Sequence, residues 1–142
     1  MGPPAENLTL REIPSTHEFI FQRLESGPRK GDLAIFNVHP KPDEQTIFLP
    51  SPPRPPLTED YSVIALVHGL NPARYTLILA GTSTLGTQAA AEFVCQPDSV
   101  LGLLQQLGVS GASELKPFEA VIQIEIKHDV PVGTKLVLLR KL

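Results

Sequence analysis

Cysteine is almost missing from this chain: Cys95 is the only one in 142 residues. A lone thiol excludes an intrachain disulfide and a cysteine-built zinc cage. Its position late in an apolar helical stretch predicts a buried, inert side chain. No apolar run approaches the roughly 20 residues of a membrane span. Met1 to Leu10 lacks the basic-then-apolar order of a signal peptide. Basic charge is scarce as well. Twelve Lys and Arg face 15 Asp and Glu, a net charge of −3, which points away from direct nucleic-acid binding. These absences read as a soluble, cytoplasmic chain with no membrane partner. The abrupt "MGPP" start reads as an excised piece of a longer protein.

What is present suits one globular domain over residues 1–142. Apolar residues make up 42% and charged residues 19%, enough for a real core. The front half holds the acidic excess and most of the irregularity. Glu18–Leu24, Leu33–Val38 and Thr46–Pro50 read as strands separated by turn chemistry at Gly27–Asp32 and His39–Gln45. Residues 39–60 form a proline-rich surface loop region. "PSPPRPP" (Pro50–Pro56) alone carries five of the 15 prolines. It predicts a stiff, extended segment, with docking into an aromatic groove as the functional alternative.

The second half is more regular. "YSVIALVHGL" (Tyr61–Leu70) and "YTLILAG" (Tyr75–Gly81) are apolar enough to cross a buried sheet. The short "NPAR" link between them makes them antiparallel neighbours. Thr87–Val94 and Pro97–Gly108 read as helices, the second with Pro97 at its start and Gly108 at its stop. "FEAVIQIEI" (Phe118–Ile126) places Phe118, Ala120, Ile122, Ile124 and Ile126 on one side, which predicts a wet or edge position for the other. His128–Thr134 turns the chain, and Lys135–Leu142 closes as a last strand. The fold class is α/β or α+β. We expect a single mixed sheet, extra N-terminal strands, and a strand–helix–helix–strand crossover of about two helices packed mainly on one face. The strands at Tyr75 and Phe118 are expected to run parallel.

The candidate site is the turn "GTSTLGT". Gly81 and Gly86 have P-loop spacing in a strand–loop–helix context, but Thr87 replaces the lysine and Gln88 the magnesium-binding hydroxyl. No G-x-G-x-x-G fingerprint occurs. A weaker anion site survives that comparison. Helix-start N–H groups carry partial positive charge, and Thr82, Ser83, Thr84 and Thr87 add hydroxyls. Gly81, Thr82, Ser83, Thr84, Gly86 and Thr87 are therefore the predicted ligand-binding residues, with an anionic small molecule as partner. The plainer reading makes the turn a tight corner capped by Thr87. A catalytic alternative takes Ser83 as nucleophile with Asp98 and His128 following in hydrolase order, although Leu85 stands where the elbow needs a glycine. His17, His39, His68 and His128 show no metal spacing. His68, at the end of a buried run, reads as a hydrogen-bonded structural histidine. No metal and no cofactor is expected.

"Y.VIA" at Tyr61, "LILAGTSTLGTQAAAEF" from Leu77 and the closing "FE" strand at Phe118 resemble a bacterial family of α/β domains without assigned activity. In that family the domain often ends larger proteins, some with a DNA-binding module in front. The resemblance covers Tyr61–Val94 and Phe118–Leu139. It implies a sensory or interaction domain whose DNA-binding partner lies outside this segment, and it assigns no site residue.

Taken together, these features lead to the expectation of a non-enzymatic ligand-binding or protein-interaction module, the sensory domain of a bacterial regulator. The alternative is a small hydrolase or transferase acting at the Gly81–Thr87 turn. Exposed sheet edges allow a homodimer.

Overall fold

In the computed structural model, which describes residues 18–52, 58–68 and 73–142, seven strands and two helices succeed one another. They are β1 (Phe19–Arg23), β2 (Leu33–Asn37), β3 (Ile47–Phe48), β4 (Glu59–His68), β5 (Tyr75–Gly81), α1 (Thr84–Cys95), α2 (Pro97–Leu107), β6 (Phe118–Lys127) and β7 (Val130–Lys141). The strands form two antiparallel sheets, β1-β2-β3 and β5-β4-β6-β7. The fold is α+β, and both helices lie in the crossover from β5 to β6.

Two details of the expected sheet are corrected. There are two sheets instead of one, and neither is mixed. β5 and β6 do run in the same direction, but β4 lies between them and is antiparallel to both. The crossover therefore skips one strand, and no parallel ladder forms.

β4 is apolar on both faces because both faces are covered. Ile64 joins Leu79, Ala89, Ala90, Phe93, Leu103, Leu107 and the even-numbered residues Phe118 to Ile126 beneath the helices. Tyr61, Val63, Ala65 and Val67 join Phe19, Ile35 and Phe48 beneath the small sheet. The small sheet also explains why the second face of β6 is not wet: Glu119 and Val121 are both fully buried. Only toward the end of β6, at Glu125 and Lys127, does that face reach solvent.

A buried ionic seam fastens the two layers. Glu119 Oε1 accepts the N–H groups of Glu18 (3.3 Å) and Phe19 (3.2 Å). Arg140 donates to Glu44 Oε2 (2.8 Å), to Glu44 Oε1 and to the His39 carbonyl (3.2 Å). Its guanidinium lies 5.9 Å from the centre of the Phe19 ring. Charges this buried persist because each has partners.

The last hairpin is tighter than expected. His128 and Asp129 both take positive φ, 52° and 61°, and make a two-residue turn of the kind that matches strand twist. β7 therefore begins at Val130, and Pro131 is tolerated because β7 is an edge strand. Cys95 ends α1 exposed, not buried. His68 is exposed too, with its ring 4.9 Å from that of Tyr75. Most of the Pro50–Pro56 segment, and the link at 69–72, lie outside the described residues. Among the described residues no helix is long and apolar enough to cross a membrane.

Candidate functional site

The six residues predicted for an anion site do come together where β5 enters α1. The helix starts three residues earlier than expected, and Ser83 is its N-cap, not Thr87. Ser83 has extended backbone, and its Oγ accepts the Gly86 N–H at 3.2 Å. Thr87 lies inside the first turn. Its hydroxyl donates to the Ser83 carbonyl (3.1 Å) and accepts the Gly81 N–H (3.0 Å).

A seventh residue holds the cluster together. Asp60, at the start of β4, is 0% exposed. Its Oδ1 accepts the Tyr61 N–H (2.8 Å) and the Thr82 hydroxyl, and its Oδ2 accepts the Ser83 hydroxyl. Ser62, two residues on and on the same face, donates to the Gly86 carbonyl at 2.6 Å. Burial pushes the Asp60 carboxyl above its ordinary value, while Ser83, Thr82 and the N–H groups of Tyr61 and Gly86 pull the other way. A helix entrance attracts an anion, and here the anion is a side chain of the same protein. An external anion at this spot would meet a carboxylate of its own sign.

The glycines are explained by the same geometry. A Cβ on Gly81 would lie 2.5 Å from the Thr87 nitrogen, and one on Gly86 would lie 2.6 Å from Asp60 Oδ2. Gly81 lets α1 press against β5, and Gly86 lets it press against β4. The catalytic alternative finds no support in these contacts. The Ser83 hydroxyl donates to Asp60 and accepts from Gly86, with neither His128 nor Asp98 among its partners. Among the described residues no group of three or more His, Cys, Asp or Glu is placed to hold a metal.

Two other features have the reach of a site. One is a cavity of about 330 Å³ at the end of β4, β6 and β7, lined by Thr58, Glu59, Gln123, Glu125, Thr134 and Lys135 among others. Its lining mixes both charge signs. Glu59 is already engaged by the Tyr61 hydroxyl at 2.5 Å, and burial together with Glu59 pushes that phenol up to about 12.

The other is the outer rim of β5. The Thr82 N–H donates inward to the Tyr61 carbonyl. By strand alternation the even-numbered residues of β5 bond to β4, and Tyr75, Leu77 and Leu79 turn their N–H and C=O groups outward. Gly81, in the same outward phase, gives its N–H to Thr87. The side chains of Tyr75 and Leu77 are 50% and 46% exposed.

Asp60 and Ser62 were not picked out from the sequence. The available signal was parity: both share a face with Ile64, so two polar groups sit on the core side of a buried strand. Comparison with protein-family models, curated proteins and solved structures finds no match to this chain. The functional reading therefore rests on the geometry.

Proposed function

We propose that this chain is a non-enzymatic protein-interaction module that adds a partner strand along the outer rim of β5. One observation carries the reading. Every other strand edge among the described residues is defended, and that of β5 is not. β3 is only two residues long. β1 has five residues and ends in Arg23, and its Phe19 N–H is taken by buried Glu119. β7 is long but carries Pro131, Lys135, Arg140 and Lys141, and its pairing with β6 is twice irregular. β5 reads YTLILAG, with no charge, no proline and no bulge. Short length, charge, proline and bulges are the devices that keep edges from pairing, and an apolar edge without them is a template for another strand. The engaged hydroxyls of Thr82, Ser83 and Thr87 and the engaged N–H groups of Thr82, Gly86 and Thr87 favour this interaction reading over one built on a small anion. A sensory or interaction role behind a DNA-binding module, as the resemblance implies, is compatible with it.

The test is a synthetic peptide of the Tyr75–Gly81 sequence, made soluble with lysine tails and titrated into the isotopically labelled chain. Binding is expected to shift and protect the Leu77 and Leu79 amides. Leu77→Pro should abolish this while leaving the β4 ladder intact, because the Leu77 N–H faces outward. An unchanged amide spectrum at saturating peptide would remove the reading.

A further inference from the structure

We infer that the strand received by β5 is the β5 of a second copy of this chain, in an antiparallel pair whose two-fold axis passes at Leu77. The inference rests on the interaction reading above and adds the identity of the partner.

Three observations choose a second copy. First, the outward groups are self-complementary in number and spacing. In antiparallel strands, residues that face each other in a hydrogen-bonded pair exchange both N–H···O bonds. A two-fold axis at Leu77 sets Leu77 against Leu77, and Tyr75 against Leu79 of the other copy. Tyr75, Leu77 and Leu79 are the outward-facing residues of β5 before Gly81, so this register joins every one of their groups. Moving the axis by one residue, to Ile78, would set Tyr75 against Gly81, whose N–H is already committed to Thr87. Second, charge permits it. β5 has no ionisable side chain except the Tyr75 phenol, so two copies meet without like charges opposed. The same register brings the half-exposed side chains of Leu77 together and lays Tyr75 against the other copy's Leu79. Third, the opposite edge of the same sheet rejects the alternative. Head-to-tail stacking would need β5 to pair with β7. The proline, the lysines and the two irregularities of β7 oppose that. One open rim among the described residues gives a closed pair, not a filament. The four strands β5-β4-β6-β7 would become one continuous sheet across the axis.

The experiment measures mass in solution over a wide concentration range, for the chain itself and for Leu77→Lys. The wild-type mass should rise from 15.4 kDa toward twice that value, and Leu77→Lys should stay at the single-chain mass with an unchanged far-ultraviolet spectrum. The register is read separately by cross-linking in a Cys95→Ser background, which removes the exposed native thiol. Leu77→Cys should oxidise to a disulfide-linked dimer, since paired Cα atoms lie within about 4.4–6.8 Å of each other in such bonds, and Thr76→Cys should not. A dimer that survives Leu77→Lys would overturn the inference by placing the contact elsewhere. A chain that stays monomeric yet binds the Tyr75–Gly81 peptide would overturn self-pairing and leave the interaction reading standing. A chain that neither dimerises nor binds the peptide would overturn both.

Discussion

The Asp60 carboxylate accepts the Ser83 hydroxyl under the first turn of α1, so the residue that caps the helix is itself held by the strand next to β5. Asp60 is also the acceptor for the Thr82 hydroxyl and the Tyr61 N–H. This one carboxylate fixes where β5 ends and where α1 begins. Asp60→Ala leaves those donors without their acceptor in a buried place, where each orphaned group costs about 1–3 kcal/mol. We expect a loss of roughly 3 kcal/mol or more, read from the urea midpoint. Ser83→Ala should cost less, about 1–2 kcal/mol, as a lost cap and one lost partner of Asp60.

Two helical glycines should respond in opposite directions to the same substitution. Alanine is the better helix former by about 1 kcal/mol. At Gly102 in α2 a new Cβ meets nothing within 4 Å, so Gly102→Ala should stabilise by about 0.5–1 kcal/mol. At Gly86 the Cβ would strike Asp60 Oδ2 at 2.6 Å and Ser62 Oγ at 3.0 Å. Overpacking of that kind costs about 1–3 kcal/mol and outweighs the propensity gain. Thermal melts of the two variants, run side by side, check the signs.

Acid should act on the seam between the two sheets. The Arg140 guanidinium is the main cause that holds the Glu44 carboxyl down, from 4.5 to about 2, against the opposing effect of burial; the Lys41 N–H and the Asn37 amide assist. Because the folded value lies below the unfolded one, this contribution to stability is fully present above 4.5 and is lost as pH falls through about 2. Asp60 has the opposite sign. Its raised value means that ionising it costs stability, and the cost disappears as pH falls toward 3.8. Glu44→Gln cannot titrate at this position. It should be less stable than wild type at neutral pH and converge with it near pH 2 in urea midpoints.

The strands and helices were legible because burial leaves a plain pattern. Tyr61–Leu70 reads as a strand crossing a buried sheet, and its described part, Tyr61–His68, lies in β4. The even-numbered residues of Phe118–Ile126 read as a core face, and they pack under the helices. What misled was context from distant chain segments. Glu119 looks like the solvent side of β6 until the N-terminal sheet, a hundred residues earlier in sequence, covers it. His128 and Asp129 lack the usual asparagine–glycine signal, so a two-residue turn was not expected. Thr87 reads as the cap because the apolar helical pattern starts there, whereas Ser83 caps the helix. The deciding contacts belong to Asp60, 23 residues before Ser83, and no local pattern reports them. For the candidate site, the sequence located the turn and its glycines. It could not show that a strand residue, Asp60, accepts the hydroxyls of Thr82 and Ser83 there.

The Arg140 clasp also orders events during synthesis. Arg140 lies two residues from the C-terminal Leu142, and the groups it grips, Glu44 and the His39 carbonyl, lie 96 and 101 residues earlier. A ribosome makes β1, β2 and β3 before β6 and β7, which carry Glu119 and Arg140, the two residues that fasten them. Ile35 and Phe48 can meet Tyr61 and Val63 once β4 follows, but the polar fastening of the two layers waits for β6 and β7. Cutting β7 short of Arg140 would leave Glu44 without its cation, with Glu119 and the apolar layer alone to hold the small sheet in place.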